Sequence, residues 1–323
     1  MRRIIPGATL AVSLLFTAAA NAQDASSYPN KPIRFVVPFA PGGGTDALAR
    51  IVGEALHNKW GQPVVIENRG GAGGNIGAEV VYKADPDGYT LLFTAGGTLT
   101  NNKALYGKLN YDPDAFVPVA LVAANFSVLV VHPRVPVNSV QQFIAFARAN
   151  PEKLDYASPG SGTGSHLTGE MFKVMAGVKI THIPYKGTAP AMGDLVGGQV
   201  GSMFAELGSI LPHIRAGKVR ALGVTSDKRI AALPDTPTVA EALPGFLATP
   251  WNGAVAPPKT PAAIATKLSA GIAEILRQPE VTKRLADRSF EAVGSTPGEM
   301  SVFMKQETER WDKVIRAIGL KAD

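Results

Sequence analysis

The chain contains no cysteine. It therefore has no disulfide framework and no thiolate nucleophile or thiolate metal ligand, so its stability has to come from packing. Histidine is scarce too: His57, His132, His166, His182 and His213 are scattered with no H-x-H or H-E-x-x-H spacing. That spacing supports no metal site. Hydrolase signatures such as G-x-S-x-G are missing. Past the N-terminus there is no long apolar run. The most apolar internal stretch, Val117 to Val131, is broken by Pro118 and Asn125 and is too short to span a bilayer. Basic residues are spread along the chain rather than gathered in a tract interleaved with aromatics, which excludes a nucleic-acid interface as the expected surface.

The N-terminus is organised differently from the rest. Arg2 and Arg3 form a basic region, Ile4 to Ala19 an apolar one, and Ala20-Asn21-Ala22 a small-residue cleavage site. Residues 1–22 therefore read as a signal peptide cleaved before Gln23, with export to the periplasm. The twin arginines lack the flanking pattern of a folded-protein export signal, which favours the general secretory route. Loss of Arg2 and Arg3 takes the net charge from +6 to +4, a mild balance suited to attracting anionic small molecules. With 46% apolar and 18% charged residues, the remainder has the composition of a globular protein long enough for two lobes.

From Tyr28 onward the pattern alternates between strand and helix. Ile33–Val37, Val64–Asn68, Tyr89–Thr94, Leu154–Ala157, Lys179–Ile183 and Val200–Phe204 read as strands, with Thr45–Trp60, Asn75–Lys83, Ser139–Asn150 and Ser165–Ala176 as helices. Such βα units predict mostly parallel sheets. Val119–Ala124 and Ser127–His132 are extended runs with no helix between them, which predicts a crossing between lobes. The expected division is 28–124 plus 250–323 for the first lobe and 125–249 for the second. No internal repeat is visible.

Two segments carry the functional signal: Pro38-Phe39-Ala40-Pro41-Gly42-Gly43-Gly44-Thr45-Asp46 and Ser158-Pro159-Gly160-Ser161-Gly162-Thr163-Gly164-Ser165-His166. Each follows a strand and opens a helix. Strand, glycine-rich turn and helix N-terminus together present unpaired N–H groups and the positive end of the helix dipole, which suits a carboxylate or phosphate. At strand C-termini in an α/β protein both loops face the cleft. Thr45 is expected to cap or to donate its hydroxyl, and Asp46 to sit at the first helical position. Tyr185-Lys186-Gly187-Thr188 offers a further hydroxyl and cation. A third glycine run, Gly70 to Gly77, does not make a dinucleotide site, because Ile76 stands where G-x-G-x-x-G requires its last glycine. No cofactor is expected.

Tyr28-Pro29-Asn30-Lys31-Pro32-Ile33 leading to Pro38–Asp46 resembles the opening of the Bug receptors, the periplasmic substrate-binding proteins of tripartite tricarboxylate transporters. The resemblance continues through Gln62–Arg69, Pro86–Leu92, Tyr156-Ala157-Ser158, Ile183–Gly187 and Leu233–Glu241, spanning nearly the whole mature chain. It implies a two-lobed Venus-flytrap fold that closes on a small carboxylate and delivers it to a membrane permease, as a monomer and without catalysis. A periplasmic sensor presenting its closed form to a signalling partner is the alternative. An exported hydrolase would instead require His166 and Asp46 within hydrogen-bond reach across the cleft. Carried over from the family, the ligand-binding residues are Phe39, Gly43, Thr45 and Asp46 in one lobe and Ser158, Gly162, Thr163 and His166 in the other. Where the family often has a cleft-facing Asp, this chain has Ala205 followed by Glu206. Either the distal part of the ligand is apolar there, or Glu206 substitutes.

Overall fold

The computed structural model describes residues 27–151, 153–185 and 187–321. The signal peptide with its cleavage site, and Lys186, lie outside the described residues.

Eleven strands form two sheets. They are β1 (Ile33–Val37), β2 (Val64–Asn68), β3 (Thr90–Ala95), β4 (Val117–Asn125), β5 (Ser127–Val131), β6 (Asp155–Ser158), β7 (Thr181–Pro184), β8 (Ser202–Glu206), β9 (Arg220–Val224), β10 (Trp251–Ala256) and β11 (Phe290–Ala292). The first sheet runs β11-β4-β10-β3-β1-β2 and the second β7-β6-β8-β5-β9. The helices are α1 (Gly44–Trp60), α2 (Asn75–Tyr82), α3 (Gly97–Thr100), α4 (Asn102–Leu105), α5 (Val140–Ala149), α6 (Gly164–Ala176), α7 (Thr188–Val196), α8 (Leu207–Arg215), α9 (Ala262–Leu276), α10 (Pro279–Ala286) and α11 (Pro297–Ile318).

Each sheet is covered on both faces, so its strands are apolar on both sides. In β1, Ile33, Phe35 and Val37 enter the core shared with α1 and α9, while Val36 points to the opposite core. In β5, Leu129 and Val131 face one core and Val128 and Val130 the other. The period-two alternation of a strand divides one apolar run between two cores.

The sheets are mixed. β1 pairs with β2 and β3, and β6 with β7 and β8, all in parallel. By contrast β10 runs antiparallel to β3 and β4, and β5 to β8 and β9. The antiparallel strands are those at the lobe crossings: β4 and β5 are separated by Phe126 alone, yet lie in different sheets. The return segment runs beside this crossing. Asn125 N–H donates to Pro250 O at 2.7 Å, and Thr225 Oγ1 donates to Ala248 O at 2.6 Å. Helix α11 also reaches across. Met300 packs with the first sheet, whereas Trp311 and Ile315 join the core of the second.

Candidate ligand cleft

The two glycine-rich loops share one local geometry although their sequences show no repeat. Gly42 and Gly162 both take positive φ, +85° and +77°, which a side chain would strain. Gly43 and Thr163 are the N-caps of α1 and α6. The residue three positions into each helix then reaches back over the turn. Gly42 N–H donates to Asp46 Oδ2 at 2.9 Å, and Gly162 N–H donates to His166 Nδ1 at 3.0 Å. Asp46 is therefore not at the first helical position, because the helix begins at Gly44.

Asp46 is buried and also accepts from Arg50 Nε and Asn68 Nδ2, each at 3.0 Å. Burial opposes its charge, but the bonds from Arg50, the Gly42 amide and Asn68 outweigh it and hold the carboxyl below the ordinary range. His166 is buried against His182, with ring centroids 3.8 Å apart and planes within 9°. Accepting at Nδ1 leaves its ring proton on Nε2. Burial lowers the affinity of both rings for a second proton, and with the neighbouring His166 brings His182 down to about 4. Ser158 is fully buried, its Oγ 2.7 Å from His182 Nε2 and accepting from Gly160 N–H at 3.2 Å. These groups brace the loop from behind.

Between the sheets lies a cleft of about 410 Å³, a volume typical of small-molecule sites. Phe39, Ala95 to Thr98, Asn101 and Asn102 wall it on one side; Ser161 to Ser165, Thr188, Phe204 and Glu206 wall it on the other. Ser127, Thr249, Pro250 and Trp251 form its crossing end, and Glu307 and Trp311 of α11 its back. At the mouth of α6, the N–H groups of Gly164 and Ser165 have no acceptor among the described residues. No Lys, Arg or His is among the described lining residues.

Of the residues expected at the ligand, Phe39, Gly162 and Thr163 line this cleft. Gly43 is an exposed cap. Thr45 turns to the crossing strands, its Oγ1 donating to Asn252 Oδ1 at 2.8 Å while Asn252 Nδ2 donates to Asn125 Oδ1 at 3.1 Å. Asp46, Ser158 and His166 stand behind the wall in the bonds just given. Ala205 is fully buried and points to the core opposite the cleft, so that Glu206, the next residue, faces the cleft. Asn101, Asn102 and Glu307 have no motif around them in the sequence. They come to the cleft because α3 and α4 fold over the end of β3 and because α11 crosses between the sheets. Asn102 Nδ2 donates to Gly73 O at 3.0 Å and to Asn75 Oδ1 at 2.6 Å, fixing the glycine run after β2 as part of the wall.

Two α/β units joined by crossing strands, with such a cleft between them, define a ligand-enclosing binding protein. The model of the tripartite tricarboxylate transporter family receptor matches residues 48–320. Protein BugT of Bordetella pertussis is 37% identical over 318 residues, covering 97% of this chain and 98% of BugT. Among solved structures, R. palustris Rpa4515 with adipate has a TM-score of 0.80 at 38% identity, covering 91% of this chain and 99% of the other. MatC from Rhodopseudomonas palustris with bound malate has a TM-score of 0.76 at 35% identity, covering 89% and 100%. The chain belongs to the tripartite tricarboxylate transporter receptor family and is a solute-binding receptor.

Proposed function

We propose that this receptor captures a small organic acid between its lobes in the periplasm, after removal of residues 1–22, and presents it to a membrane permease. The observation that carries the carboxylate is the mouth of α6, where the Gly164 and Ser165 amides and the Ser161 hydroxyl meet the cleft with no protein anion in place. The ligands of Rpa4515 and MatC, adipate and malate, are carboxylates. In this reading Phe39, Gly162 and Thr163 touch the ligand, while Gly43, Thr45, Asp46, Ser158 and His166 hold the loops that do. Residues 28–124 with 250–323 and residues 125–249 close as two lobes about the β4–β5 crossing, with α11 spanning both. Ligand contacts made only in the closed form drive the closure. No bond is made or broken, since Asp46 and His166 each latch their own loop. The receptor acts as a monomer and binds no nucleic acid.

Thermal denaturation of mature protein, stripped by unfolding and refolding, against a panel of organic acids tests this reading. An acid at about 100 times its Kd should stabilise by about 2.7 kcal/mol, a shift of a few degrees. Thr163→Val should weaken that shift. A folded protein that responds to no acid would overturn the carboxylate assignment.

A further inference from the structure

The cleft is polarised. One wall presents bare amides and hydroxyls at α6, and Glu206 presents a carboxylate near the crossing. In β8, Phe204 and Glu206 share the face toward the cleft, whereas Met203 and Ala205 enter the opposite core. Glu206 stands opposite Ser127 in the β5–β8 register, where the chain passes between lobes. Its carboxylate retains accessible surface and takes part in no hydrogen bond or ion pair among the described residues. Protein crowding on its other sides raises its carboxyl above the ordinary range, with no neighbouring charge to offset that.

Glu307, the other acid of the cleft, is already matched. It is buried, lies 2.6 Å from Arg310 Nη1 and accepts from Trp311 Nε1 at 3.2 Å. Glu206 has no such partner, and the described lining supplies no base. A diacid bound at α6 would bring a second negative charge into a cleft that already holds an unpaired carboxylate. A ligand with a cationic nitrogen at its far end would supply the missing partner instead. Such a charge-assisted bond is about twice as strong as a neutral one.

We infer that the ligand is an amphoteric acid, its carboxylate at the α6 amides and its protonated amine at Glu206, which makes Glu206 the residue that selects against plain diacids. This rests on the carboxylate reading above. A protonated Glu206 donating to a second ligand carboxylate predicts the reverse preference, so one experiment separates the two.

Titration calorimetry of the mature protein with chain-matched pairs provides the test: β-alanine against malonate, γ-aminobutyrate against succinate, and ε-aminocaproate against adipate. Wild type should bind the amino acid of at least one pair about tenfold or more tightly than its diacid. In Glu206→Gln that preference should fall about tenfold, with the unliganded melting temperature unchanged because Glu206 bonds to nothing. Equal or tighter binding of the diacids, or a preference unaltered in Glu206→Gln, would overturn the role of Glu206 while leaving the carboxylate receptor standing. Binding of none of these acids, nor of the wider panel, would overturn both.

Discussion

Asp46 shows how much of a binding loop can depend on a side chain that does not face the cleft. Its carboxylate accepts from the Gly42 amide, from Arg50 and from Asn68, so it ties the turn, the helix and the end of β2 together. Asp46→Ala would leave a backbone N–H and the Asn68 amide without their acceptor. Arg50 is half exposed and can turn to water, which limits the loss. Urea denaturation should show a destabilisation of about 2 kcal/mol. Asp46→Asn, which can still accept from the Gly42 amide, should lose less. His166 holds the equivalent place in the second loop with an uncharged ring. The two latches therefore differ in chemistry while sharing geometry, and for that reason no repeat is visible in the sequence.

At the scale of elements, α6 depends on a close approach to β6. A Cβ at Gly169 would stand 2.3 Å from Tyr156 Cε2, and Tyr156 is itself fixed by donating to Glu170 Oε1 at 2.6 Å. Alanine within a helix gains about 1 kcal/mol over glycine. Overpacking a filled core loses about 1–3 kcal/mol, and the ring cannot move without giving up its bond. Gly169→Ala should therefore be net destabilising in thermal melts and should weaken ligand binding through displaced α6 amides. Gly53→Ala, whose Cβ would meet side chains at 3.2 Å or beyond, should be much milder. The lobe-crossing strands have their own brace in the chain Thr45–Asn252–Asn125, which ties the start of α1 to β4 and β10.

For the whole molecule, the buried imidazoles set a dependence on pH. His182 is held near 4 in the folded state, well below the ordinary value of 6.5, and His166 is lowered as well. Between those values the unfolded chain binds more protons than the folded one, so stability falls as pH drops from about 6.5 to 4. Glu206 and Glu307, raised by burial, act in the opposite sense over part of that range. Asp46 and Glu170 are lowered, and their contribution is lost only at still lower pH. Melting temperature measured between pH 6.5 and 4.5 should decline by a few degrees in wild type. The decline should be shallower in His182→Asn, which keeps a polar partner for Ser158 but has no titrating ring. An equal slope in the two proteins would remove His182 from this account.

The strand alternation, the two glycine-rich turns and the order of elements followed from local chemistry: apolar runs of strand length, glycines at positive φ, and a cap before each helix. A resemblance carried by short motifs was therefore enough to identify the family and its two-lobed fold. Three-residue β11, the short α8 and α10, and the antiparallel direction of β5 and β10 had no local signal, because strand direction and edge pairing depend on which lobe the chain re-enters. Side-chain roles divided in the same way. That Thr163 and Gly162 sit at a helix mouth is a property of their own segment. That Asp46 and His166 turn inward, that Ala205 is buried while Glu206 faces the cleft, and that Glu307 arrives from a helix 100 residues further on depend on contacts between segments far apart in the chain. Local spacing determined where a carboxylate can be held. Only packing across the two sheets decided which charges surround it.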